Sequence, residues 1–328
     1  MPKFELNKTA IQFIEELIES GSDNKLRRKL RDFHYADIAE IINELNSNQA
    51  TYLIKLLESD KTADALAEVD EDIREGILEN LSAKEIAEEI EELDTDDAAD
   101  LIGELPEERQ ERVMSQIRDS EHLEDIKELL TYDEDTAGGL MAKELVKVEE
   151  GLSVLKCLNA MRAQAEEVTR VHSIYVVDEN NVLKGRLSLK DLITANSRAI
   201  VKDIYIPKVD YVTVNQPGEE VADIMSKYDL EAIPVVNTQK QLMGRITIDD
   251  IVDLIKEEAE KDYQLAAGIS NDVEANDGIF ELTKARLPWL FLGLLGGLGS
   301  VFILQDFEQV MELPELRRLF FYTPLIAA

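Results

Sequence analysis

The chain has 328 residues, of which 69 are acidic and 35 basic, giving a formal net charge of −34. Binding to nucleic-acid phosphates needs clustered Lys and Arg, so this balance argues against a nucleic acid as partner. The single cysteine, Cys157, excludes an intrachain disulfide, and three scattered histidines give no zinc-site spacing. A reducing compartment is expected.

Short amphipathic helices are predicted in the first part of the chain. From about Ile11 to Leu130, apolar residues recur at i, i+3 and i+4 in runs of under three turns. Ser82 and Thr95 stand where helix N-caps are expected. Helices this short do not bury their apolar faces alone, so the pattern favours stacked hairpins in a small superhelix.

The middle of the chain contains an internal duplication. Residues 173–193 align without gaps to residues 232–252, with seven identical positions that include Gly185 and Gly244. In each copy two strands are followed by a helix that opens with Ser188 or Thr247, and an aspartate follows three residues on. With the strand and helix upstream of each copy, the pattern predicts a β-α-β-β-α unit twice over.

This duplicated unit resembles the CBS domain, which forms tandem pairs. The shared pattern is an apolar strand ending in two valines, then Leu-x-Gly, a strand, a hydroxyl residue and an aspartate. The resemblance implies that ATP or another adenine nucleotide binds in the cleft between the copies. The candidate nucleotide-binding residues are Ser188, Lys190, Asp191 and Thr247.

A membrane-spanning helix is predicted near the end of the chain. Residues 287–304 carry no charge and reach roughly 27 Å as a helix, close to the hydrocarbon thickness of a bilayer. The alternative is a buried helix of a soluble protein. A second apolar run begins at Leu319 and is too short to span, so we expect the natural protein to continue. No signal peptide is recognised at the start, so the region before the span is expected in the cytoplasm.

The order of these segments resembles the MgtE family of magnesium transporters. The resemblance rests on the acidic helical region, residues 136–141 (TAGGLM), the tandem CBS copies, an acidic helix, and a span that begins RLPWL. It implies a multi-domain fold: an all-α superhelical N domain, an α/β tandem CBS pair, a long connecting helix and the start of a transmembrane domain. The expected boundaries are 1–137, 138–200, 201–254, 248–282 for the connecting helix and linker, and 286–328.

The same resemblance implies a homodimer in the plasma membrane that conducts Mg²⁺, with this chain forming mainly the Mg²⁺-sensing gate. Mg²⁺ prefers oxygen ligands and keeps several waters, so loose carboxylate clusters between movable parts suit a sensor. Asp96 and Asp100 share a helix face at i, i+4. The candidate metal ligands are Asp64, Asp96, Asp100, Glu219, Asp229, Asp250, Asp253, Glu258 and Asp262.

In this hypothesis, Mg²⁺ bridges the acidic clusters at high concentration and the connecting helices close the pore. The alternative from another class is a membrane-anchored CBS sensor of adenine nucleotides that regulates a separate transporter. A structural scaffold that docks a partner is a third option. The sequence shows no P-loop, G-x-G-x-x-G or nucleophile–base arrangement, so we do not expect an enzyme.

Overall fold

The computed structural model describes residues 8–165, 168, 170–266 and 279–307. The chain divides into two compact units, Met1–Ile251 and Val252–Ala328, which are described separately. The predicted short helices are confirmed in the first unit. They are α1 Lys8–Glu19, α2 Asp23–Leu30, α3 Tyr35–Asn43, α4 Ser47–Leu56, α5 Ser59–Ala67, α6 Glu71–Asn80, α7 Ala83–Ile90, α8 Thr95–Gly103, α9 Glu107–Met114 and α10 Ser120–Leu129.

These helices stack with the second neighbour along the chain. Helix α3 packs on α5, α4 on α6, α5 on α7, α7 on α9 and α8 on α10. Apolar side chains such as Ile38, Ile41 and Leu66 are fully buried between them. The Arg74 guanidinium joins α6 to the end of α8, because it donates to the Glu104 carboxylate at 2.5 and 3.0 Å. It also donates to the carbonyls of Ala67 and Val69, in the connection between α5 and α6. Each helix thus buries a face that it could not bury alone.

Of the two N-caps expected from the sequence, the structure has one. Ser82 caps α7 reciprocally with Glu85, whose backbone N–H donates to the Ser82 hydroxyl while its carboxylate accepts from the Ser82 N–H. The prediction that Thr95 caps α8 is wrong, because Asp94 holds the N-cap position and Thr95 is the first residue of the helix. The Thr95 hydroxyl instead forms hydrogen bonds with Lys143 and Glu144, in the segment before β1.

Two three-stranded sheets follow, one for each copy of the duplication. The first copy runs β1 Val146–Glu149, α11 Val154–Gln164, β2 Ile174–Val177, β3 Leu183–Leu187 and α12 Leu189–Thr194. The second runs β4 Val212–Thr213, α13 Gly218–Tyr228, β5 Ala232–Val236, β6 Leu242–Thr247 and α14 Ile248–Ala266. In each sheet the first two strands are parallel and the last two antiparallel. The predicted β-α-β-β-α unit is confirmed in both copies.

The two sheets join through their hairpins. The Leu183 N–H donates to the Lys240 carbonyl, and the Leu242 N–H donates to the Asn181 carbonyl, both at 2.9 Å. Asn181 and Lys240 occupy equivalent positions in the two copies, and their φ angles are 60° and 61°. The duplication therefore extends from the sequence to the backbone conformation of the turns.

Gly185 and Gly244 lie in the middle of β3 and β6, where another segment crosses the strand. A Cβ on Gly185 would lie 2.2 Å from the Ile206 carbonyl oxygen, and one on Gly244 would lie 2.7 Å from that of Ala142. The segment before the first copy pairs with the second copy. The Ala137 N–H donates to the Gln216 carbonyl, and Ala142 forms a β-bridge with Arg245. This exchange attaches the end of the helical region to the second copy.

The second unit contains most of α14 and the helix α15, Ile279–Phe307. Within α15, residues Thr283–Phe302 are long and apolar enough to cross a membrane, and 6% of this stretch is buried. This helix contains the whole of the span predicted from the sequence, residues 287–304. The apolar run after Leu319 lies outside the described residues.

Candidate functional site

An acidic cluster forms where the start of α8 faces the second copy of the duplication. Its members, here called the acidic cluster, carry charges that act on one another: Asp64, Asp94, Asp96, Asp97, Asp100, Glu144 and Asp250. Three of them stand at the N-cap and first turn of α8, where the helix dipole favours negative charge. The sequence therefore gathers acids at one helix end, and the fold brings others to them.

Thr95 fixes this end of α8 to the segment that precedes β1. Its hydroxyl donates to the Glu144 carboxylate at 2.8 Å and accepts from the Lys143 N–H at 2.8 Å. Since residues 137–142 pair with the second copy, Glu144 is held between α8 and β6. The Thr95 side chain is 1% exposed, so these bonds lie in a protected environment.

Arg245 of β6 is the cation that opposes this cluster most directly. Its side chain is 7% exposed, its Nε donates to the Glu144 carbonyl at 2.5 Å, and a guanidinium nitrogen lies 3.9 Å from the Asp94 carboxylate. Asp250 is held next to it, because the Thr247 N–H and hydroxyl both donate to its Oδ2, at 3.0 and 2.7 Å. One guanidinium thus stands among several carboxylates.

Burial and neighbouring charges raise the pKa of Asp94, Asp96 and Asp97. Desolvation by the surrounding protein, followed by the charges of Asp250 and Asp100, raises the pKa of Asp97 to about 8, although the residue is exposed at the surface. Burial and Glu144 raise the pKa of Asp94 to about 6, although Arg245 acts in the opposite direction. The pKa of Asp96 is raised well above its usual range, first by burial and then by Asp97. Ionisation of these three aspartates together is therefore unfavourable unless a positive charge joins them.

The structure brings together four of the metal ligands expected from the sequence. Asp64, Asp96, Asp100 and Asp250 belong to the acidic cluster. Glu219 and Asp229 are exposed at the two ends of α13. In the second unit, Asp253 is exposed and pairs with Lys256 at 2.5 Å, Glu258 is half-buried, and the Asp262 side chain lies outside the described residues.

Three members of the cluster were missed from the sequence. Asp94 and Asp97 are next to Asp96 in the same acidic run of the sequence. Because the N-cap of α8 is predicted at Thr95, the sequence does not indicate that Asp94 occupies that position. Glu144 gave no signal, because its position depends on the exchange that places residues 137–142 on the second copy.

The cluster suits an ion that needs few protein ligands. Among the described residues, no three His, Cys, Asp or Glu side chains converge closely enough to hold a metal ion. Mg²⁺ is typically held by one or two carboxylates and several waters, whereas zinc needs a closed set of protein ligands. The arrangement therefore fits a hydrated hard cation better than a transition metal.

The residues expected to bind a nucleotide have capping roles in the structure. The Asp191 N–H donates to the Ser188 hydroxyl at 3.1 Å at the start of α12, and Lys190 is exposed beside them. Thr247 is engaged by Asp250. Nucleotide contacts from these residues remain a prediction.

Comparison with protein families identifies both parts of the first unit. Residues 33–135 match the model of the MgtE intracellular N domain. Residues 137–198 and 201–257 each match that of the CBS domain.

Magnesium transporters are among the curated relatives of this chain. The chain is 41% identical over 197 residues to the magnesium transporter MgtE of Thermus thermophilus, covering 60% of this chain and 43% of the relative. It is 32% identical over 196 residues to the magnesium transporter MgtE of Bacillus subtilis, with the same coverage of 60% and 43%. The chain thus spans about two fifths of the length of these relatives.

Solved structures agree with the sequence relatives. The cytosolic domain of the Mg²⁺ channel MgtE in complex with ATP matches with a TM-score of 0.69 and 34% identity, over 74% of this chain and 99% of that one. The soluble part of a magnesium transporter matches with a TM-score of 0.67 and 29% identity, over 76% and 98%. Taken with the helical stack, the duplicated sheets and their exchanged segment, these matches show that the chain belongs to the MgtE family.

Proposed function

We propose that this chain is the Mg²⁺-sensing region of a magnesium transporter, and that Mg²⁺ binds in the acidic cluster between α8 and the second CBS copy. The observation that carries the proposal is the meeting of the acidic start of α8 with Glu144 and Asp250 around one guanidinium, that of Arg245, which lies 3.9 Å from the Asp94 carboxylate. The raised pKa of Asp94, Asp96 and Asp97 agrees with this crowding. A divalent cation in this place removes the repulsion and keeps the carboxylates ionised.

The binding of Mg²⁺ stabilises the docked arrangement of the helical region on the second copy. Without the ion, docking places Asp97 and Asp250 close together, so it opposes their ionisation and forces Asp97 to take up a proton that the undocked chain has lost. A ligand that binds one arrangement better than another shifts the population towards it by its difference in affinity. The fraction of molecules with the helical region docked therefore rises with Mg²⁺ concentration, and this change in position can control a gate.

The proposal extends to the whole protein. The relatives are magnesium transporters, and α15 has the length and composition of a membrane span. We infer a homodimer in the plasma membrane, with the region before α15 in the cytoplasm and transport of Mg²⁺, not catalysis, as its activity. Asp253, Glu258 and Asp262 of α14, with Glu219 and Asp229 of α13, are weaker candidates for additional sites.

A second ligand is favoured by one observation. The structural relative at 34% identity is in complex with ATP. In this chain, the two CBS copies have hydroxyl groups at positions equivalent to each other, Ser188 and Thr247, where a helix follows the last strand. We propose that an adenine nucleotide binds between the copies. Because Thr247 also holds Asp250, nucleotide and Mg²⁺ then influence each other through this pair of residues.

The test is hydrogen exchange of the full chain at constant ionic strength, with Mg²⁺ raised from about 0.1 to 20 mM. We expect slower exchange in α8 and in residues 136–145 as Mg²⁺ rises. Asp97→Asn removes a carboxyl group whose ionisation the docked arrangement opposes, so it should slow exchange there without Mg²⁺ and weaken the response to the ion. Glu111→Gln, an exposed acid on α9, is the matched control and should respond as the wild type.

Two outcomes contradict the proposal. Exchange in α8 that is independent of Mg²⁺ in the wild type removes the sensor. A Mg²⁺ response that is unchanged in both Asp97→Asn and Glu111→Gln places the ion elsewhere. ATP added without Mg²⁺ that alone slows exchange in α8 favours the nucleotide sensor instead.

A further inference from the structure

A basic segment interrupts this acidic chain near its start. Five of the 35 basic residues lie within seven consecutive positions, with no acidic residue among them. The basic segment consists of Lys25, Arg27, Arg28, Lys29 and Arg31. It lies before residue 33, where the match to the MgtE intracellular N domain begins.

Helix α2 presents this segment on a fixed support. Leu26 and Leu30 are 0% exposed, and α2 packs against α1, so the apolar side of the helix is anchored in the helical region. All five basic side chains belong to exposed residues. The cations are therefore displayed together on one surface and do not depend on binding for their order.

Little within the chain neutralises these charges. In the part of the chain that the structure describes, Arg31 alone of the five forms an ion pair, with its exposed neighbour Asp32 at 3.5 Å. Lys29 lies 5.9 Å from the centre of the Phe33 ring. Asp23, at the start of the helix, accepts a hydrogen bond from the Tyr52 hydroxyl. The surface thus keeps a local excess of positive charge.

We propose that the basic segment docks on anionic phospholipid headgroups of the membrane that α15 enters. Four to eight Lys or Arg on an amphipathic helix are typical of recognition of acidic lipids. The remaining negative charge of the chain does not cancel this attraction, because screening limits electrostatic interactions to about 8 Å at physiological ionic strength. A membrane-crossing helix in the same chain keeps the lipid surface at high effective concentration. This surface is independent of the Mg²⁺ proposal.

The experiment uses the full chain in vesicles of neutral phosphatidylcholine, with or without about 30% phosphatidylglycerol. An environment-sensitive dye is attached at Asn24→Cys, an exposed position in α2, in a Cys157→Ser background. We expect quenching of the dye by headgroup-bound quenchers to be at least severalfold stronger in anionic vesicles. About 0.5 M NaCl should abolish the difference.

Charge reversal at Arg27, Arg28 and Lys29 to Glu should remove the anionic-lipid signal. The matched control reverses the same number of exposed lysines in the CBS copies, at Lys156, Lys202 and Lys208, and should keep the signal. Because reversal could disturb α2, a second variant with Arg27→Lys and Arg28→Lys keeps the charge and should keep at least half of the quenching.

Five results overturn the proposal. They are equal quenching in neutral vesicles, a signal that survives the reversal, a signal that appears without anionic lipid and grows with protein concentration, a signal that added nucleic acid produces in neutral vesicles, and displacement of the signal by inorganic phosphate. The third would assign the segment to a second copy of the chain, and the fourth to a nucleic acid. Displacement by millimolar inorganic phosphate would indicate a site for free phosphate instead of a lipid surface.

Discussion

Glu89 is a carboxylic acid inside the helical stack, and its replacement by Gln should stabilise the stack at alkaline pH. The residue is 8% exposed, and its carboxylate accepts a hydrogen bond from the Thr62 hydroxyl at 2.7 Å, which links α7 to α5. Burial raises the pKa of Glu89 from 4.5 to about 7, the Thr62 bond opposes the rise, and Glu88 and Glu92 add to it.

The sign of the effect follows from proton binding. Between about pH 4.5 and 7 the folded protein holds a proton on Glu89 that the unfolded chain has lost, so stability falls as the pH rises through this window. The rise in pKa corresponds to about 3 kcal/mol at pH values above 7, at 1.36 kcal/mol for each tenfold change. Glu89→Gln keeps an acceptor for Thr62 and avoids this cost.

Hydrogen exchange of α5 and α7, compared between the variant and the wild type at the same pH, measures the difference locally. At about pH 8 we expect exchange in Glu89→Gln to be slower by a factor of about 100, and at about pH 5 the two proteins should be close. Glu79→Gln, an exposed acid on α6, is the control. A variant that exchanges at the wild-type rate at pH 8, or one stabilised equally at pH 5, would refute the reasoning.

Two other predictions concern the contact between the helical region and the second CBS copy. Gly244→Ala should destabilise this contact by about 1–3 kcal/mol, because its Cβ would lie 2.7 Å from the Ala142 carbonyl oxygen; faster exchange of residues 136–145 in the variant checks this. The apparent affinity for Mg²⁺ should rise between about pH 6 and 8, because protons leave Asp94 and Asp97 in this range and compete with the ion; a titration followed by proton release checks this, and an affinity independent of pH would contradict it.

Much of the fold could be predicted because its signals are local or repeated. Short apolar runs with caps such as Ser82 define helices from a few neighbouring residues. The duplication was more informative, since two independent copies of one pattern led to the same strands and helices. Even the left-handed turns at Asn181 and Lys240 occupy equivalent positions in the aligned copies.

The site was harder to predict because it depends on contacts between distant parts of the chain. The family resemblance points to Asp64 and Asp96, whereas Glu144 joins the cluster only through the exchanged segment, about 100 residues before its partner Arg245. The basic segment is hidden for another reason, because the net charge of all 328 residues does not show how charge is distributed along the chain. Local patterns thus predict elements, and the topology decides which of their side chains meet.

The position of the acidic cluster in the fold bears on how a sensor works. A contact between apolar surfaces would hold the helical region on the second copy whatever the ion concentration. Here the contact combines fixed bonds, such as Thr95 to Glu144, with carboxylates whose ionisation opposes it. Since the opposing charges, including Asp97 and Asp250, can be balanced by a cation or by protons, the stability of this contact depends on the solution. Its dependence on a cation separates it from the helical stack and from the hairpins that join the two copies, which apolar burial and backbone hydrogen bonds hold together.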